Sequence, residues 1–292
     1  MAQQNIVAIV TGASRGAGKG IAQALGRHGC IVYVTGRSEN EGEAEVPGTI
    51  HATAREVTEA GGHGIAVKCD HSDDEQVKAL FERVIAEQGR IDILVNNAAW
   101  QGNALTSVSG QFWEKSLDVA KMIDVGARSG FVASWYAAQQ MVKQDKGLIV
   151  FTSSPGSMHY CMGPSYGAHK AAVDKMAFDM GVDFADAGAN VAAVSIWMGS
   201  LTTERLMEMM EKVPSLRQRL EGTLEPASYT GEIAWAMFND PDMVAKFNGR
   251  TVIGAEVGRD YGIVDEDGRF PPSVRKGTGV APPQFGSYKV KM

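Results

Sequence analysis

Cysteine is scarce: Cys30, Cys69 and Cys161 are the only three in 292 residues, an odd number with no C-x-x-C spacing. That argues against a disulfide framework or a structural zinc site and fits a reducing compartment. Basic charge is also short, with 28 Lys and Arg against 34 Asp and Glu for a formal net charge of -6. Such a balance gives no global attraction for nucleic acid or an anionic membrane. No apolar run reaches the roughly 18 residues needed to span a bilayer. The opening MAQQNIVAIVTGAS lacks the charged start and long apolar stretch of a secretory leader. The expectation is a cytoplasmic protein with no nucleic-acid or membrane partner and no metal.

What is present is ordinary globular composition, 44% hydrophobic and 21% charged, enough for a sizeable core. Short β-branched runs recur: IVAIVTG (6–12), CIVYVTG (30–36), GIAVKCD (64–70), IDILVNNAA (91–99), GLIVFTSS (147–154), NVAAVSIW (190–197) and GRTVIGAEV (249–257). Between them lie helical stretches such as GIAQALGRHG and DEQVKALFERVIAEQG. Strands apolar along their whole length, alternating with helices, predict a parallel sheet covered on both faces. The expected fold class is therefore α/β, a single doubly wound, Rossmann-like parallel sheet over residues 1–269. No repeat or proline-rich linker divides it. From 270 to 292 the composition turns to Pro, Gly and Lys, which predicts an extended C-terminal tail.

The first run feeds into TGASRGAGKGIA, where Gly12, Gly16 and Gly18 are spaced G-x-x-x-G-x-G. At a strand-to-helix turn, bare backbone admits a pyrophosphate, and the following helix start offers N–H donors and a positive dipole end. It is not a P-loop, because no glycine stands five positions before Gly18 and Gly20 replaces the Ser or Thr. The second run ends in VTGRS, with Arg37 where an acidic side chain would hold two ribose hydroxyls. Together with Arg15 on the glycine turn, it suits a 2′-phosphate. NADP is the expected cofactor and NAD the alternative; the plain reading of both arginines is solvated loop charge.

Residues 153–172, SSPGSMHYCMGPSYGAHKAA, hold the candidate chemistry. Tyr166 and Lys170 share a helix face at i and i+4. A phenol with a pKa near 10 is a poor acid–base group at neutral pH, and a nearby ammonium together with a positively charged oxidised nicotinamide lowers it. Tyr160 has Pro164 four residues on and lacks that partner. A Y-x-x-x-K pair alone is common by chance.

TGASRGAG, NNAA, a run ending in SS, YGAHK and a later W-M-G-x-x-x-T together resemble, in order and spacing, the short-chain dehydrogenase/reductases. The segments SSPGS, DVGARSG, SIW-G and YGIVDEDGR are similar to those of one branch of that family with bacterial members. The resemblance implies that Gly12, Gly16 and Gly18 wrap a pyrophosphate, and Ser14 and Arg15 on the same turn are expected among the cofactor-binding residues. It implies that Asp70 contacts the adenine and that Asn96 and Ala98 flank the cofactor. Tyr166 would be the general acid in reduction, Lys170 would bind the nicotinamide ribose and tune Tyr166, and Thr203 would hold the carboxamide or phosphate. The family's spacing selects Ser153 as the hydroxyl that polarises the substrate carbonyl, whereas the strand register selects Ser154. Ser154 is the choice, with Ser153 the fallback.

Two residues depart from the family pattern. Gly126 stands where a helix asparagine commonly completes the site, so a proton relay from Lys170 would use backbone and water. Met198 replaces the usual proline before Gly199, which should loosen the loop that carries Thr203. Beyond it, residues 200–226 are expected to form a mobile lid, with Leu206, Met207, Met209 and Met210 as its flexible apolar surface. Trp100, Met158, Tyr160 and Trp197 are expected to line a pocket for a bulky, hydrophobic carbonyl or alcohol substrate. The expected activity is an NADPH-dependent carbonyl reductase, reversible as an alcohol dehydrogenase. The alternatives are an NAD-dependent alcohol dehydrogenase and a non-catalytic NADP-binding sensor. A homodimer or homotetramer is the expected assembly, through the helices around VASWYAAQQMV and YGAHKAAVDKMAF.

Overall fold

The protein is described by a computed structural model that covers residues 6–100, 102 and 110–286. Six of the apolar runs become the strands β1 (Val7–Val10), β2 (Ile31–Gly36), β3 (His63–Lys68), β4 (Ile93–Asn96), β5 (Gly147–Ser153) and β6 (Val191–Trp197). The seventh is shorter than its sequence suggests. It pairs over Arg250–Ile253 and then turns into helix at Gly254. The reason is register: Ile253 lies opposite Trp197, the last residue of β6, so no neighbouring backbone remains to pair with. This edge strand is β9, because two short strands precede it: β7 (Ser200–Leu201) and β8 (Leu224–Glu225).

All pairings in the main sheet are parallel, in the order β3-β2-β1-β4-β5-β6-β9. Parallel strands need crossover helices, and these cover both faces. On one face α1 (Gly16–Arg27), α2 (Ile50–Glu59) and α8 (Tyr229–Asn239) bury Ile21, Leu25, Val57, Ile233 and Met237 against Val10, Val32 and Val95. On the other, α3 (Asp74–Gln88), α4 (Ser129–Lys143) and α5 (Pro164–Ala187) bury Val77, Phe81, Ala137, Met141, Val173 and Ala177 against Ile9, Leu94 and Ile149. A π-helical turn, Ile123–Arg128, leads into α4. Under the sheet the buried Asp92 carboxylate accepts from Val7 N at 2.8 Å and pairs with Arg90 at 2.6 Å, tying β1 to β4.

The strand order reverses direction between β1 and β4, and a crevice opens beyond the carboxyl ends of such a pair. Residues 200–226 form one wall of it as β7, α6 (Glu204–Lys212), α7 (Pro214–Leu220) and β8. The tail is less extended than its composition suggests. It carries α11 (Val274–Thr278), packs Val274 and Val280 on Trp197, Ile253 and Ala255, and sets the Phe285 ring 5.4 Å from Phe178. Between β9 and that tail lie α10 (Gly254–Asp260) and the turn after it; α9 (Met243–Phe247) precedes β9.

Candidate active site

A cleft of about 730 Å³ lies over the carboxyl ends of β1 and β4. Gly12 and Gly16 adopt the left-handed region at φ 64° and 57°, which favours glycine. A Cβ on Gly18 would lie 2.4 Å from the Gly12 carbonyl oxygen, so the turn closes only on a bare backbone. Ser14, Arg15, Arg37, Asp70, Ala98 and Thr203 all line this cleft, as do the three glycines. Asp70 accepts from Ser72 N and Ser72 Oγ at 2.9 and 2.7 Å.

Asn96 is not among the residues that line the cleft. Its side chain leaves β4 on the face of Leu94 and donates to Ser134 Oγ of α4 at 2.9 Å, away from the cleft. Asn97 faces the cleft instead. Its Nδ2 donates to the carbonyls of Thr11 and Gly12 at 3.0 and 3.1 Å, and its backbone N–H donates to Thr11 Oγ1 at 2.9 Å. Strand alternation carried this signal: the first residue of NNAA ends the strand and points to the helix layer.

Two charged residues at this end do more than the sequence suggests. Arg15 is committed to the neighbouring loop, donating to Ser38 Oγ at 2.8 Å and the Gly48 carbonyl at 2.7 Å. Arg37 stays exposed at the rim, and Glu43 and Glu45 line the same end of the cleft. The second residue is Glu204, which sequence reasoning missed. Its Oε2 accepts from Gly16 N at 2.9 Å, placing a carboxylate at the start of α1. Thr203 beside it caps α6, its hydroxyl accepting from Leu206 N at 3.3 Å. His71, also unforeseen, is buried below the cleft against Thr35 Oγ1 at 2.8 Å, and burial lowers its pKa to about 4.

Next to the cleft, Ser154 and Tyr166 meet at 2.8 Å between hydroxyl oxygens. Ser154 follows β5 and also accepts from Gly156 N at 3.2 Å. Ser153, one residue earlier, is fully buried and donates to the Lys170 carbonyl at 3.5 Å. Tyr166 and Lys170 lie on α5, with the ammonium donating to the Thr152 carbonyl at 3.0 Å and standing 5.6 Å from the phenol ring centroid. Burial depresses Lys170 to about 8 and raises Tyr166 to about 12. Burial is the largest influence on the phenol, and the Ser154 hydrogen bond acts against it in the lowering direction.

A smaller cavity of about 130 Å³ opens beside this pair, with Trp100, Met122, Met162 and Met198 as its apolar wall. Three expected pocket residues are elsewhere. Trp197 is fully buried, donating from Nε1 to Asp174 Oδ2 at 2.9 Å. Met158 and Tyr160 are 51% and 79% exposed and do not line either space. In the 200–226 segment Leu206 lines the cleft, while Met207 is exposed and Met210 is buried. The Met198 loop is fastened despite lacking proline: Met198 N donates to the Ser153 carbonyl at 3.1 Å, and β7 pairs with β8. At Gly126 the space for a side chain is taken by the His169 ring, 2.3 to 2.5 Å from where a Cβ would lie.

Among the described residues no group of three or more His, Cys, Asp or Glu is placed to hold a metal ion. None of their helices is long and apolar enough to cross a membrane. The glycine cradle fits a dinucleotide, and the profile of the short chain dehydrogenase family matches residues 6–214. The chain belongs to the short-chain dehydrogenase/reductase family. Its members are oxidoreductases that use NAD or NADP, act on small molecules and often assemble as oligomers. Dehydrogenase/reductase SDR family member 1 of Homo sapiens is 38% identical over 273 residues, 90% of this chain and 84% of that protein. The Mus musculus counterpart is 37% identical with the same coverage. These are the relatives that the branch-specific segments suggested. The 1-cyclohexenylcarbonyl-CoA reductase of Streptomyces collinus is 33% identical, covering 80% of this chain and 78% of its own. A 7α-hydroxysteroid dehydrogenase solved with NADH and 7-oxo glycochenodeoxycholic acid shares the fold, with a TM-score of 0.72 over 86% of this chain and 93% of its own at 24% identity.

Proposed function

We propose that this short-chain dehydrogenase/reductase is an NADPH-dependent carbonyl reductase, reducing a ketone or aldehyde and running in reverse as an alcohol dehydrogenase. The observation that carries this reading is the 2.8 Å contact between Ser154 and Tyr166 in the smaller cavity, beside Lys170, which lines both that cavity and the cleft of the glycine cradle. Bound NADPH would supply the hydride to the carbonyl carbon. The remaining work falls to the chain. Ser154 donates to the carbonyl oxygen and stabilises the charge that develops there. Tyr166, held protonated by burial, gives that oxygen its proton. Lys170 keeps a positive charge under the phenol and, at pH values below about 8, offers its remaining N–H groups to a ribose hydroxyl.

Arg37, at the rim with Arg15 behind it, supports a 2′-phosphate and hence NADP. A second reading, NAD, is favoured by Glu43 and Glu45 at the same end of the cleft, where a carboxylate can hold ribose hydroxyls. The residues 200–226 act as a lid, and the exposed Phe131 and Trp135 on α4 form part of a face between subunits. Side-by-side binding of NADPH and NADH to wild type and Arg37→Ala decides the cofactor. NADPH preference that collapses in the variant supports NADP; equal or better NADH binding supports the second reading. Turnover of diketones and quinones is then compared with Tyr166→Phe. Equal low rates in both proteins would leave a cofactor-binding sensor as the function.

A further inference from the structure

The smaller cavity is lined by an imidazole, His169, that the proposed chemistry does not use. We propose that His169 orients the substrate by hydrogen-bonding a second oxygen close to the reacting carbonyl, so that the substrate class is a vicinal diketone, an α-hydroxyketone or a β-oxygenated ketone. This inference rests on the carbonyl-reductase reading and specifies its substrate.

Four observations lead to it. First, His169 lines the cavity together with Ser154, Tyr166 and Lys170. It stands three residues after Tyr166 on α5, and side chains at i and i+3 of a helix lie about 5–6 Å apart at Cβ. Second, the imidazole is 4% exposed. Burial and the Lys170 charge keep it neutral, with its pKa near 2. A neutral ring offers one donor and one acceptor to whatever enters the cavity.

Third, the seat of the ring is built. Gly126 lies under it, and a Cβ there would fall 2.3 Å from Cε1 and 2.5 Å from both nitrogens. Gly126 belongs to the π-helical turn Ile123–Arg128, a distortion that recurs at functional sites. Fourth, the cavity measures about 130 Å³, and Trp100, Met122, Met162 and Met198 form its apolar wall, with Ser153 also lining it. So small a space places only the carbon bearing the carbonyl and its near neighbours beside the ring. The second oxygen must then sit one or two carbons from the reacting one, and the rest of the molecule extends outward past the apolar wall.

The test uses a matched pair of probes, 1-phenyl-1,2-propanedione and propiophenone, with saturating NADPH. The intrinsic reactivity of the diketone cancels when the ratio of the two kcat/KM values is compared between proteins. In His169→Phe, which keeps a ring but no hydrogen-bonding atom, this ratio is expected to fall about 10- to 100-fold below wild type. His169→Asn should recover part of it. Gly126→Ala, which drives a methyl group into the imidazole, should lower the ratio in the same sense without changing the histidine. An unchanged ratio in both His169→Phe and Gly126→Ala overturns the inference, as does an equal loss on both probes. NADPH binding serves as the control for folding. If wild type binds NADPH but turns over neither probe, the carbonyl-reductase reading falls, and the role of His169 falls with it.

Discussion

The carboxylate of Glu204 occupies a position that the proposed cofactor needs. Its Oε2 accepts from Gly16 N at 2.9 Å, at the amino end of α1. A helix start attracts anions through its unpaired N–H groups and its dipole, and the pyrophosphate of a dinucleotide would bind there. Either the carboxylate leaves when the cofactor arrives or two like charges share one helix end. Losing an exposed, charge-assisted hydrogen bond costs about 1 kcal/mol, at the low end of the range for such bonds because water replaces it. Residual repulsion at about 4 Å adds roughly 1 kcal/mol in a water-like medium. Glu204→Gln removes the charge and keeps the side chain's length. NADPH binding should therefore tighten by roughly 5- to 30-fold, corresponding to about 1–2 kcal/mol. Fluorescence titration of NADPH at two salt concentrations measures this, and the gain should shrink at high salt, since screening weakens the repulsion in wild type. Unchanged or weaker binding in Glu204→Gln would refute the reasoning and make Glu204 a group that helps to close the 200–226 segment over the bound cofactor.

Three further outcomes follow from other contacts. Gly18→Ala places a methyl 2.4 Å from the Gly12 carbonyl oxygen and 2.5 Å from Asn97 Nδ2; it should cost about 1–3 kcal/mol of stability and at least tenfold in cofactor affinity, read by thermal melting and by titration. Asn97→Ala, which removes the bonds to the Thr11 and Gly12 carbonyls, should weaken cofactor binding more than Asn96→Ala, and the reverse order would reinstate Asn96 as the cleft residue. Lys170 has a folded pKa of about 8, lowered from 10.5 by burial. Between those values the unfolded chain binds the extra proton, so cofactor-free wild type should gain stability from pH 8 to 10 by up to about 2 kcal/mol relative to Lys170→Met. Urea midpoints across that range provide the check, and parallel curves for the two proteins would count against the depressed value.

What could be read from the sequence was whatever is written locally. Seven runs of nearly unbroken apolar residues mark the sheet because a strand buried on both faces tolerates little else. The glycine turn is legible because Gly12 and Gly16 sit at positive φ, and Tyr166 and Lys170 because one helix spaces them. Ser154 also follows from local register: β5 ends at Ser153, whose hydroxyl turns inward, and the next residue meets Tyr166. Asn96 is named by the family motif NNAA, whereas strand alternation turns its side chain to Ser134 of the helix layer. Trp197 is a different case. It ends a strand whose facing residue, Asp174, lies 23 positions away on α5, and no local pattern announces that partnership.

Glu204 and His169 belong to this second kind, and the difference bears on function. Glu204 reaches Gly16 across 188 positions, and His169 is seated on Gly126 through the packing of α5 against the π-helical turn. Neither contact repeats with a helical or strand period, so neither leaves a pattern in the chain. The residues proposed for the chemistry, Ser154, Tyr166 and Lys170, are thus marked by short-range spacing. Glu204 and His169, proposed to tune cofactor affinity and select a substrate, come from segments that meet only in the folded protein. At Gly126 the sequence shows a missing side chain, and the structure shows what fills its place. The glycine makes room for an imidazole, and exchanging the two, as Gly126→Asn with His169→Ala, should retain more activity than Gly126→Asn alone, whose side chain would collide with the ring. A double variant no better than the single one would mean that the space at Gly126 serves packing alone.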